Sequence, residues 1–345
     1  MHMVAITQAM TGAREGLDWD DKRYLRAANL GDTPILSVRD DSQRPEPKKS
    51  PPIPRLIGYF GDGTAEFDRA IIFRGSGAME NDSVREILDL DRYPIDQPDA
   101  PEYRRLVAGC RRAMAADGMF NLDGFVRPAA IDRAVEELEP LMGSVSFTHQ
   151  RGHNIYFKER VDGVPPDHGA LQRFHTVNHT LCGDQLQDTV VRGIYEYPPI
   201  TVFLAQVMNQ PRLYLMDDPL ARFNVLEYRA GEALNWHFDR SLFTVTLLIQ
   251  PAFEGGEFEY RSDLRTDSDP NFAGVAAVLR GADRSIRVNP LAAGTLNVFA
   301  GKNTLHRITP VRGTQNRQVA VLSYYDRPGV TFDRTERIGF YGRAE

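Results

Sequence analysis

Six short β-rich runs between residues 212 and 330 constrain the fold of this chain more than any other feature. The runs are separated by turns, and they read RFNVLEYRAG, LFTVTLLIQ, GEFEYRS, RSIRVNP, GTLNVFAG and RQVAVLSYYD. Closely spaced short strands are typical of β-sandwiches and β-barrels. This segment is therefore predicted to form such a β structure, with the preceding helices packed outside it.

Three helices are predicted before the β-rich runs. EYRRLVAGCRRAMAADG contains good helix formers and is expected to end at Gly118. RPAAIDRAVEELEPLMG has Pro128 near the helix start and Gly143 just past the expected helix end, which is the usual asymmetry of helix termini. A third helix is predicted at about residues 198–209. All three are interpreted as supports for the β structure.

The chain is accordingly predicted to be mainly β with flanking helices, in the α+β class. Residues 1–55 end in a proline-rich stretch and are interpreted as an extended arm or linker. Residues 56–211 are assigned to a helical and mixed support region, residues 212–330 to the β core, and residues 331–345 to a C-terminal tail.

Composition restricts the partners. The 345-residue chain has a net charge of -6 and no basic cluster with interleaved aromatic residues, which argues against a nucleic-acid partner. It has no apolar run long enough for a membrane span. Cys110 and Cys182 are the only cysteines, and they form neither a disulfide framework nor a zinc motif. We expect a cytoplasmic protein with a small-molecule substrate, and a homodimer is left open.

The stretch ALNWHFDRSLFTVTLLIQ places His237 and Asp239 two residues apart. Residues i and i+2 of a strand share a face, so both side chains are predicted to point into the β structure. His306 lies two strand pieces later, and two imidazoles with one carboxylate are the facial triad that holds iron(II) in non-haem oxygenases. Taken alone, His-x-Asp is more often a surface pair or a structural histidine.

Arg317 begins the run RQVAVLSYYD, and Val319 and Val321 share its predicted face. A buried guanidinium needs an anion, and its planar fork suits a carboxylate. That anion could be a ligand or a neighbouring acidic side chain. Tyr228 is predicted on an inward face and could share the same carboxylate, and Asn224 lies on the same strand face.

Four segments in order resemble the 2-oxoglutarate- and iron(II)-dependent oxygenases. They are YRAGEALNWHFD, PAFEGGEFEY, AGTLNVFAGKNTLHRITPV and NRQVAVLSYYD. The resemblance covers roughly residues 212–328 and implies the double-stranded β-helix, the jelly-roll fold shared with cupins. It implies Fe(II) held by His237, Asp239 and His306. It further implies that 2-oxoglutarate and O2 are cosubstrates, and that succinate and CO2 are released.

On the cosubstrate side, the resemblance implies that Arg317 binds the distal carboxylate of 2-oxoglutarate with help from Tyr228. Asn224 is a further candidate. One family variant carries a serine where Val319 stands in this chain, so the second carboxylate contact is assigned to Tyr228 or another hydroxyl. Arg312 competes with Arg317 for the role of anchor, but PVRG is typical of a solvated turn.

Within this superfamily, LNWHFDRSLFTV and GKNTLHRITPV most resemble a group that acts on free amino acids and includes hydroxylases and halogenases. The halogenases of that group have glycine at the position of Asp239, and the missing carboxylate leaves room for chloride on the iron. Because Asp239 is present, the resemblance implies hydroxylation.

Four side chains are candidates for the substrate site. Arg173 is the predicted partner of a substrate carboxylate, and the other three are His175, His153 and Asn235. Each could instead be solvated or bonded to backbone. Strand alternation is expected to turn Trp236 away from the metal.

The sequence therefore predicts an Fe(II)/2-oxoglutarate dioxygenase that hydroxylates an unactivated C–H bond of a small polar substrate, a free amino acid or a derivative. The alternative within this class is a hydroxylase of a larger natural-product intermediate or of a peptidyl side chain. The alternative from another class is a cupin-like protein that binds a metal or a ligand without turnover.

Overall fold

A computed structural model describes residues 25–28, 35–38, 81–158 and 160–345, and the chain divides into two units, Met1–Ile72 and Phe73–Glu345. In the first unit, strands β1 (Leu25–Ala28) and β2 (Ile35–Val38) pair antiparallel. Apart from these strands, the predicted arm lies outside the described residues, as does the start of the predicted support region up to residue 80.

The three predicted helices are present in the second unit, but the second of them ends at Ser144 and so includes Gly143, which was expected just past its end. In chain order, the helices described in this unit are α1 (Asn81–Ile87), α2 (Pro101–Asp117), α3 (Pro128–Ser144), α4 (Val190–Glu196), α5 (Pro198–Val207), α6 (Phe272–Leu279) and α7 (Arg334–Tyr341). The three predicted helices are α2, α3 and α5, and each begins at a proline. Helix α2 ends as expected at Gly118, which caps it with a left-handed φ of 70°.

Among the described residues of this unit, fifteen strands are interspersed with the helices. The earlier ones are β3 (Met119–Leu122), β4 (Phe147–His153), β5 (Phe174–Cys182), β6 (Tyr214–Leu215), β7 (Phe223–Tyr228), β8 (Leu234–His237), β9 (Thr244–Gln250) and β10 (Glu254–Gly255). The later ones are β11 (Phe258–Arg261), β12 (Arg287–Asn289), β13 (Leu296–Phe299), β14 (Leu305–Ile308), β15 (Val311–Arg312), β16 (Arg317–Leu322) and β17 (Tyr324–Tyr325).

Two antiparallel sheets carry the architecture. The larger has seven strands in the order β3-β13-β9-β16-β7-β5-β4, and the smaller has four in the order β12-β11-β14-β8. Several strands that follow one another in the chain lie in different sheets: β7 and β9 are in the large sheet with β8 between them in the small one, and β13 and β14 are likewise divided. This confirms the predicted double-stranded β-helix with helices outside it.

Three strands of the large sheet come from before residue 212. Strand β3 pairs with β13, and the hairpin β4–β5 extends the sheet beyond β7. The segment from 147 to 182 carries many polar residues, and its strands were not predicted. Three of the seven strands of this sheet therefore come from the segment interpreted as support, and the hairpin forms one side of the β-helix.

The main hydrophobic core lies between the large sheet and the helices. Phe223, Val225 and Leu247 of the sheet are fully buried there with Leu138 of α3 and Phe203 of α5. Burying each such side chain stabilises the fold by roughly 1.5–3 kcal/mol. Because these residues take the outer face, their neighbours in each strand are left to line the interior.

The outer face of the small sheet is covered by α6. Trp236 and Phe238 pack there with Val275 and Val278, so Trp236 points away from the interior as expected. Helix α6 is formed by the apolar run FAGVAAVL, within the segment that connects β11 to β12. No helix in the described part of the chain is long and apolar enough to cross a membrane.

Candidate active site

Strands β8 and β14 bring the two predicted histidines side by side. His237 and His306 are register partners in the small sheet, and their ring centroids are 4.1 Å apart. Asp239 follows β8 directly, and the ligand atoms of all three residues lie within 4.8 Å of one another. In the described part of the chain, no other group of three or more His, Cys, Asp and Glu side chains is arranged in this way.

Backbone carbonyls fix both imidazole rings. The Nδ1 atom of His237 lies 2.8 Å from the carbonyl oxygen of Asn235, and Nδ1 of His306 lies 2.9 Å from that of Thr304. Each Nδ1–H therefore donates to a carbonyl, which leaves the lone pair on Nε2. The two Nε2 atoms face the Asp239 carboxylate at 3.4 and 3.6 Å.

Two neighbours that the sequence did not reveal hold Asp239. The Thr244 hydroxyl donates to Oδ2, and the Asp239 N–H donates to the Gly301 carbonyl at 3.0 Å. A Cβ on Gly301 would overlap both the Asp239 carboxylate and the Thr244 hydroxyl. Gly301 is therefore required by close approach to the carboxylate. The motif AGTLNVFAGKNTLH contained it, but only the fold shows what it approaches.

Burial and mutual charge keep the site in a metal-binding protonation state. Burial raises the pKa of Asp239. The imidazoles of His306 and His237 and the Thr244 hydroxyl have a larger effect in the opposite direction, so the net pKa lies below the usual range. Burial also lowers the pKa of His306 to about 4, helped by the neighbouring His237. An ionised carboxylate and a neutral imidazole are the forms that bind a divalent metal.

Arg317 lies buried on the inner face of the large sheet, 3% exposed. Its Nε donates to the Gly256 carbonyl at 2.9 Å, and its Nη1 is buried without a partner among the described residues. Burial lowers the pKa of Arg317 to about 10, and the neighbouring Tyr228 offsets part of this effect. A buried cation without a counter-ion is costly, so the site is suited to an anionic ligand.

Tyr228 is the register partner of Arg317 on β7. It is 1% exposed, and burial raises the pKa of its hydroxyl well above the usual value, so it remains a neutral hydrogen-bond donor. Val319 packs against it, as does Val311. Gly256 has a φ of 65°, and a Cβ there would lie 3.0 Å from Cδ of Arg317, so this glycine leaves room for the arginine.

The competing anchor is in a different environment. Arg312 has a side chain that is 64% exposed and pairs with Glu254 at 3.2 Å. It lies on the short strand β15 and not in the predicted turn, but its side chain is solvated as expected. Of the two arginines, only Arg317 can meet a ligand inside the β-helix.

The prediction that Asn224 contacts 2-oxoglutarate is corrected by the structure. Its amide nitrogen donates to the Leu220 carbonyl at 2.7 Å, and its Oδ1 accepts from the Tyr341 hydroxyl at 3.0 Å. These partners tie β7 to helix α7 and use the polar atoms that a cosubstrate would need. The strand face was predicted correctly, but nothing in the sequence indicated that the C-terminal helix reaches this position.

Two of the predicted substrate residues lie on the wrong face. Arg173 and His175 are exposed, and they alternate along β5 with Phe174 and Thr176, which face inward. His153 is inward and buried, with its Nε2 2.8 Å from the Thr176 hydroxyl. Asn235 shares the face of His237, but its amide donates to the His175 carbonyl at 2.9 Å and joins β8 to β5.

The site combines two imidazoles, a carboxylate and a buried guanidinium whose Nη1 has no partner among the described residues. These groups match what the chemistry of iron(II) and a 2-oxo dicarboxylic acid requires. The protein is an oxygenase of the Fe(II)- and 2-oxoglutarate-dependent class, and the predicted cofactors are confirmed at that level. The chain belongs to the family described as Halogenase D, whose model matches residues 104–336. No curated protein matches it significantly.

Solved structures with a similar fold are distant in sequence. The epimerase SnoN in complex with Fe3+, alpha ketoglutarate and nogalamycin RO is 17% identical, with a TM-score of 0.45, covering 67% of this chain and 93% of that one. AviO1 from Streptomyces viridochromogenes Tue57 is 16% identical, with a TM-score of 0.45 and coverage of 65% and 96%. A Pseudomonas putida prolyl-4-hydroxylase is 12% identical, with a TM-score of 0.40 and coverage of 62% and 97%.

Proposed function

We propose that this protein is a hydroxylase that inserts one oxygen atom into an unactivated C–H bond of a small polar substrate, a free amino acid or a close derivative. The balanced reaction takes the substrate, 2-oxoglutarate and O2 to the alcohol, succinate and CO2. When bound, the iron supplies the oxygen activation that this reaction needs.

The observation that carries the proposal is the position of Asp239. Its carboxylate faces both imidazoles and is held by Thr244 and the backbone of Gly301. A carboxylate that fills this position leaves no vacancy there for a halide. The family model bears the name of a halogenase, and this residue is our reason for proposing hydroxylation within that family.

Different residues would bind the metal and the cosubstrate. His237, Asp239 and His306 would hold Fe(II), and Arg317 would receive the distal carboxylate of 2-oxoglutarate with the Tyr228 hydroxyl beside it. The aromatic rings of Phe258 and Phe299 lie 5.6 and 4.8 Å from that of His306. They would exclude water from one side of the metal.

A succinate-release assay with Fe(II), 2-oxoglutarate and O2 tests the proposal. We would screen the twenty proteinogenic amino acids and their simple derivatives, and analyse products by mass spectrometry. The expected result is a substrate-dependent rise in succinate together with a product that is heavier by one oxygen atom. A chlorinated product in the presence of chloride, or succinate without any oxidised product, would contradict hydroxylation.

The two alternatives are separated by the same reagents. Under anaerobic conditions, Fe(II) and 2-oxoglutarate together should give a weak charge-transfer band in the visible, which a cupin-like binding protein for another ligand would not give. Turnover of a peptide or of a larger natural-product intermediate, with no free amino acid accepted, would favour the alternative of a larger substrate.

A further inference from the structure

Helices α2 and α3 pack on the same side of the large sheet. Val107 of α2 and Leu138 of α3 are buried in one core with Leu247 of the sheet. Each helix has 17 residues and is therefore about 25 Å long. Because both helices bury one face against the same sheet, their opposite faces point away from it, towards the outside of the molecule.

The outward face of α2 carries arginines at the spacing of a helix-packing seam. Four exposed residues of this helix, which we call the basic row, follow one another at intervals of four, three and four positions: Arg104, Ala108, Arg111 and Ala115. Residues three and four apart are neighbours on one side of a helix, so these intervals form a single line along it. The same spacing recurs in helices that pack along a second helix, and the two alanines permit close approach.

The outward face of α3 repeats this line with the opposite charge. Its four exposed residues, which we call the acidic row, have the same intervals of four, three and four positions: Asp132, Glu136, Glu139 and Gly143. A Cβ added at Gly143 would meet nothing within 4 Å, so this end of the row is open. Two helices of equal length therefore present matching rows, one basic and one acidic.

The charges of the two rows are not neutralised within the described part of the chain. There, no ion pair involves Arg104 or Arg111, and none involves an acid of the acidic row. The ion pair that α3 does form, between Arg133 and Glu137 at 3.3 Å, lies beside the row. Both rows are thus available to a partner of opposite charge.

Backbone carbonyls hold the two arginines of the basic row. Arg104 Nη1 donates to the Asp99 carbonyl at 2.9 Å. Arg111 donates to the Gln206 carbonyl of α5 through Nε at 3.0 Å and Nη2 at 2.5 Å. A carbonyl oxygen orients a guanidinium without cancelling its charge, and a side chain that is already oriented loses less freedom when it binds a carboxylate.

The basic row borders a shallow groove of about 440 Å³ between α2 and α5. The groove is lined by Arg104, Val107, Ala108, Arg111, Arg112 and Gln206. On α5, one turn before Gln206, Val202 is 48% exposed, and Val145, just past the end of α3, is 46% exposed. Stable interfaces combine apolar contact with polar groups at the rim, and this layer offers both.

We propose that α2 and α3 form the interface of a homodimer, in which the basic row of each copy packs against the acidic row of the other. A two-fold axis that passes between α2 and α3 makes both contacts at once, so the assembly closes at two copies. The proposed dimer is independent of the reaction proposed above.

Charge selects this arrangement over the other ways of pairing the two helices. Contact of α2 with α2 of a second copy would oppose arginines, and contact of α3 with α3 would oppose carboxylates, and like charges brought together at an interface are unfavourable. Only α2 against α3 pairs opposite signs. A second copy is the partner of choice because the complementary row, with the same spacing and length, is part of this chain.

Charge reversal in the full chain, followed by sedimentation velocity, tests the interface. Arg104→Glu with Arg111→Glu makes the basic row acidic, and Asp132→Lys with Glu139→Lys gives the acidic row a net positive charge. Each double variant alone should dimerise at least about 10-fold more weakly than the wild type, because both contacts become repulsive. An equimolar mixture of the two should dimerise within about 3-fold of the wild type, because both contacts again join opposite charges.

Arg173→Glu with Arg334→Glu is the matched control, since it changes the net charge as much as the first variant does, at exposed positions outside the rows. It should dimerise as the wild type does. The wild-type dimer should also weaken when the salt is raised from about 50 mM to about 500 mM, because salt screens exposed charges.

Three results would each refute the interface. The wild type could remain monomeric at about 100 µM, far above the Kd of a stable dimer. Either reversed variant could dimerise as tightly as the control, or the mixture could remain monomeric. Melting temperatures show whether each variant folds, and the single changes Arg104→Glu and Asp132→Lys, with the same expected pattern, replace the double ones if these do not.

Discussion

At the scale of single residues, the candidate metal site depends on what surrounds its ligands as much as on the ligands. Asp239 is positioned by one hydroxyl and one backbone carbonyl, and Gly301 leaves it just enough room. Both imidazoles are oriented by carbonyls two residues before them in the chain. Metal affinity should therefore respond to residues that never touch the metal.

Gly301→Ala tests this dependence directly. The added methyl group overlaps the Asp239 carboxylate, and overpacking of this kind costs roughly 1–3 kcal/mol, so we expect Mn(II) to bind about 10- to 100-fold more weakly. Gly143→Ala is the matched control, because nothing lies within 4 Å of its added Cβ in helix α3. Equal Mn(II) affinity of the two variants in calorimetry would refute the role assigned to Gly301.

Arg317 and Arg312 make a second test at this scale. Arg317→Gln removes charge-assisted hydrogen bonds to a carboxylate, which contribute roughly 1.5–3 kcal/mol to binding. The KM for 2-oxoglutarate should therefore rise by about 10- to 100-fold. Arg312→Gln should change it by less than about 2-fold, since an exposed pair contributes little. If the two variants exchange these behaviours in a steady-state succinate assay, the anchor is wrongly assigned.

At the scale of elements, helix α7 packs against the β core and forms hydrogen bonds with it. Asp218 is fully buried and accepts from the Phe332 N–H and from Arg337 Nε of α7, at 2.9 and 2.8 Å. Tyr341 of the same helix donates to Asn224 on β7. Phe340 covers His149, so the segment predicted as a tail closes the inner face of the β4–β5 hairpin.

Arg337→Gln should weaken this closure. Asp218 keeps its backbone donors in the variant, so we expect the free energy of unfolding at pH 7 to fall by about 2 kcal/mol, less than for a fully unpaired buried charge. Arg334→Gln, on the same helix, serves as the control, because the Arg334 side chain has no hydrogen-bond or ion-pair partner among the described residues. Chemical denaturation measures both, and a loss no larger than that of the control would contradict the assignment.

The loss of stability in Arg337→Gln is expected to depend on pH. Burial raises the pKa of Asp218, but the Phe332 N–H, Arg337 and two further backbone donors outweigh it, so the folded pKa lies below the usual value. The resulting stability is present above the unfolded pKa of about 3.9 and is lost as the pH falls through the folded pKa. The difference between wild type and Arg337→Gln should therefore shrink between pH 5 and pH 2.

At the scale of the whole molecule, the site joins both sheets. His237 and His306 belong to the small sheet, whereas Arg317 and Tyr228 belong to the large one. A ligand that contacts both groups links the two layers, and binding to the folded state alone stabilises it by RT ln(1 + [L]/Kd). In the proposed complex, the metal would hold one end of the 2-oxoglutarate molecule and the Arg317 guanidinium would hold the other.

We expect Mn(II) to raise the melting temperature, and 2-oxoglutarate to raise it further only when Mn(II) is present. Each ligand at 100 times its Kd should add about 2.7 kcal/mol to the free energy of unfolding. His306→Ala should abolish both shifts, and Arg317→Gln should abolish only the second. A metal-independent shift with 2-oxoglutarate would mean that the cosubstrate binds elsewhere. Scanning fluorimetry is sufficient to measure all of these shifts.

The sequence by itself determined the fold class and the residues that meet inside it. Period-two alternation is local, so His237 and Asp239 could be placed on one face, and Arg317 with Val319 on another, without knowledge of the partner strands. The helix ends at Gly118 and Pro128 were likewise local, because they depend on backbone geometry of single residues.

Only the tertiary structure decided that Arg173 and His175 of the β4–β5 hairpin face outward, what Asn224 binds, and why position 301 is a glycine. A shift of one residue in register exchanges the two faces of a strand, and in a polar hairpin no hydrophobic pattern fixes that register. The partners of Asn224 and Gly301 are distant in the chain, and contacts of that kind exist only after the two sheets and helix α7 have packed together.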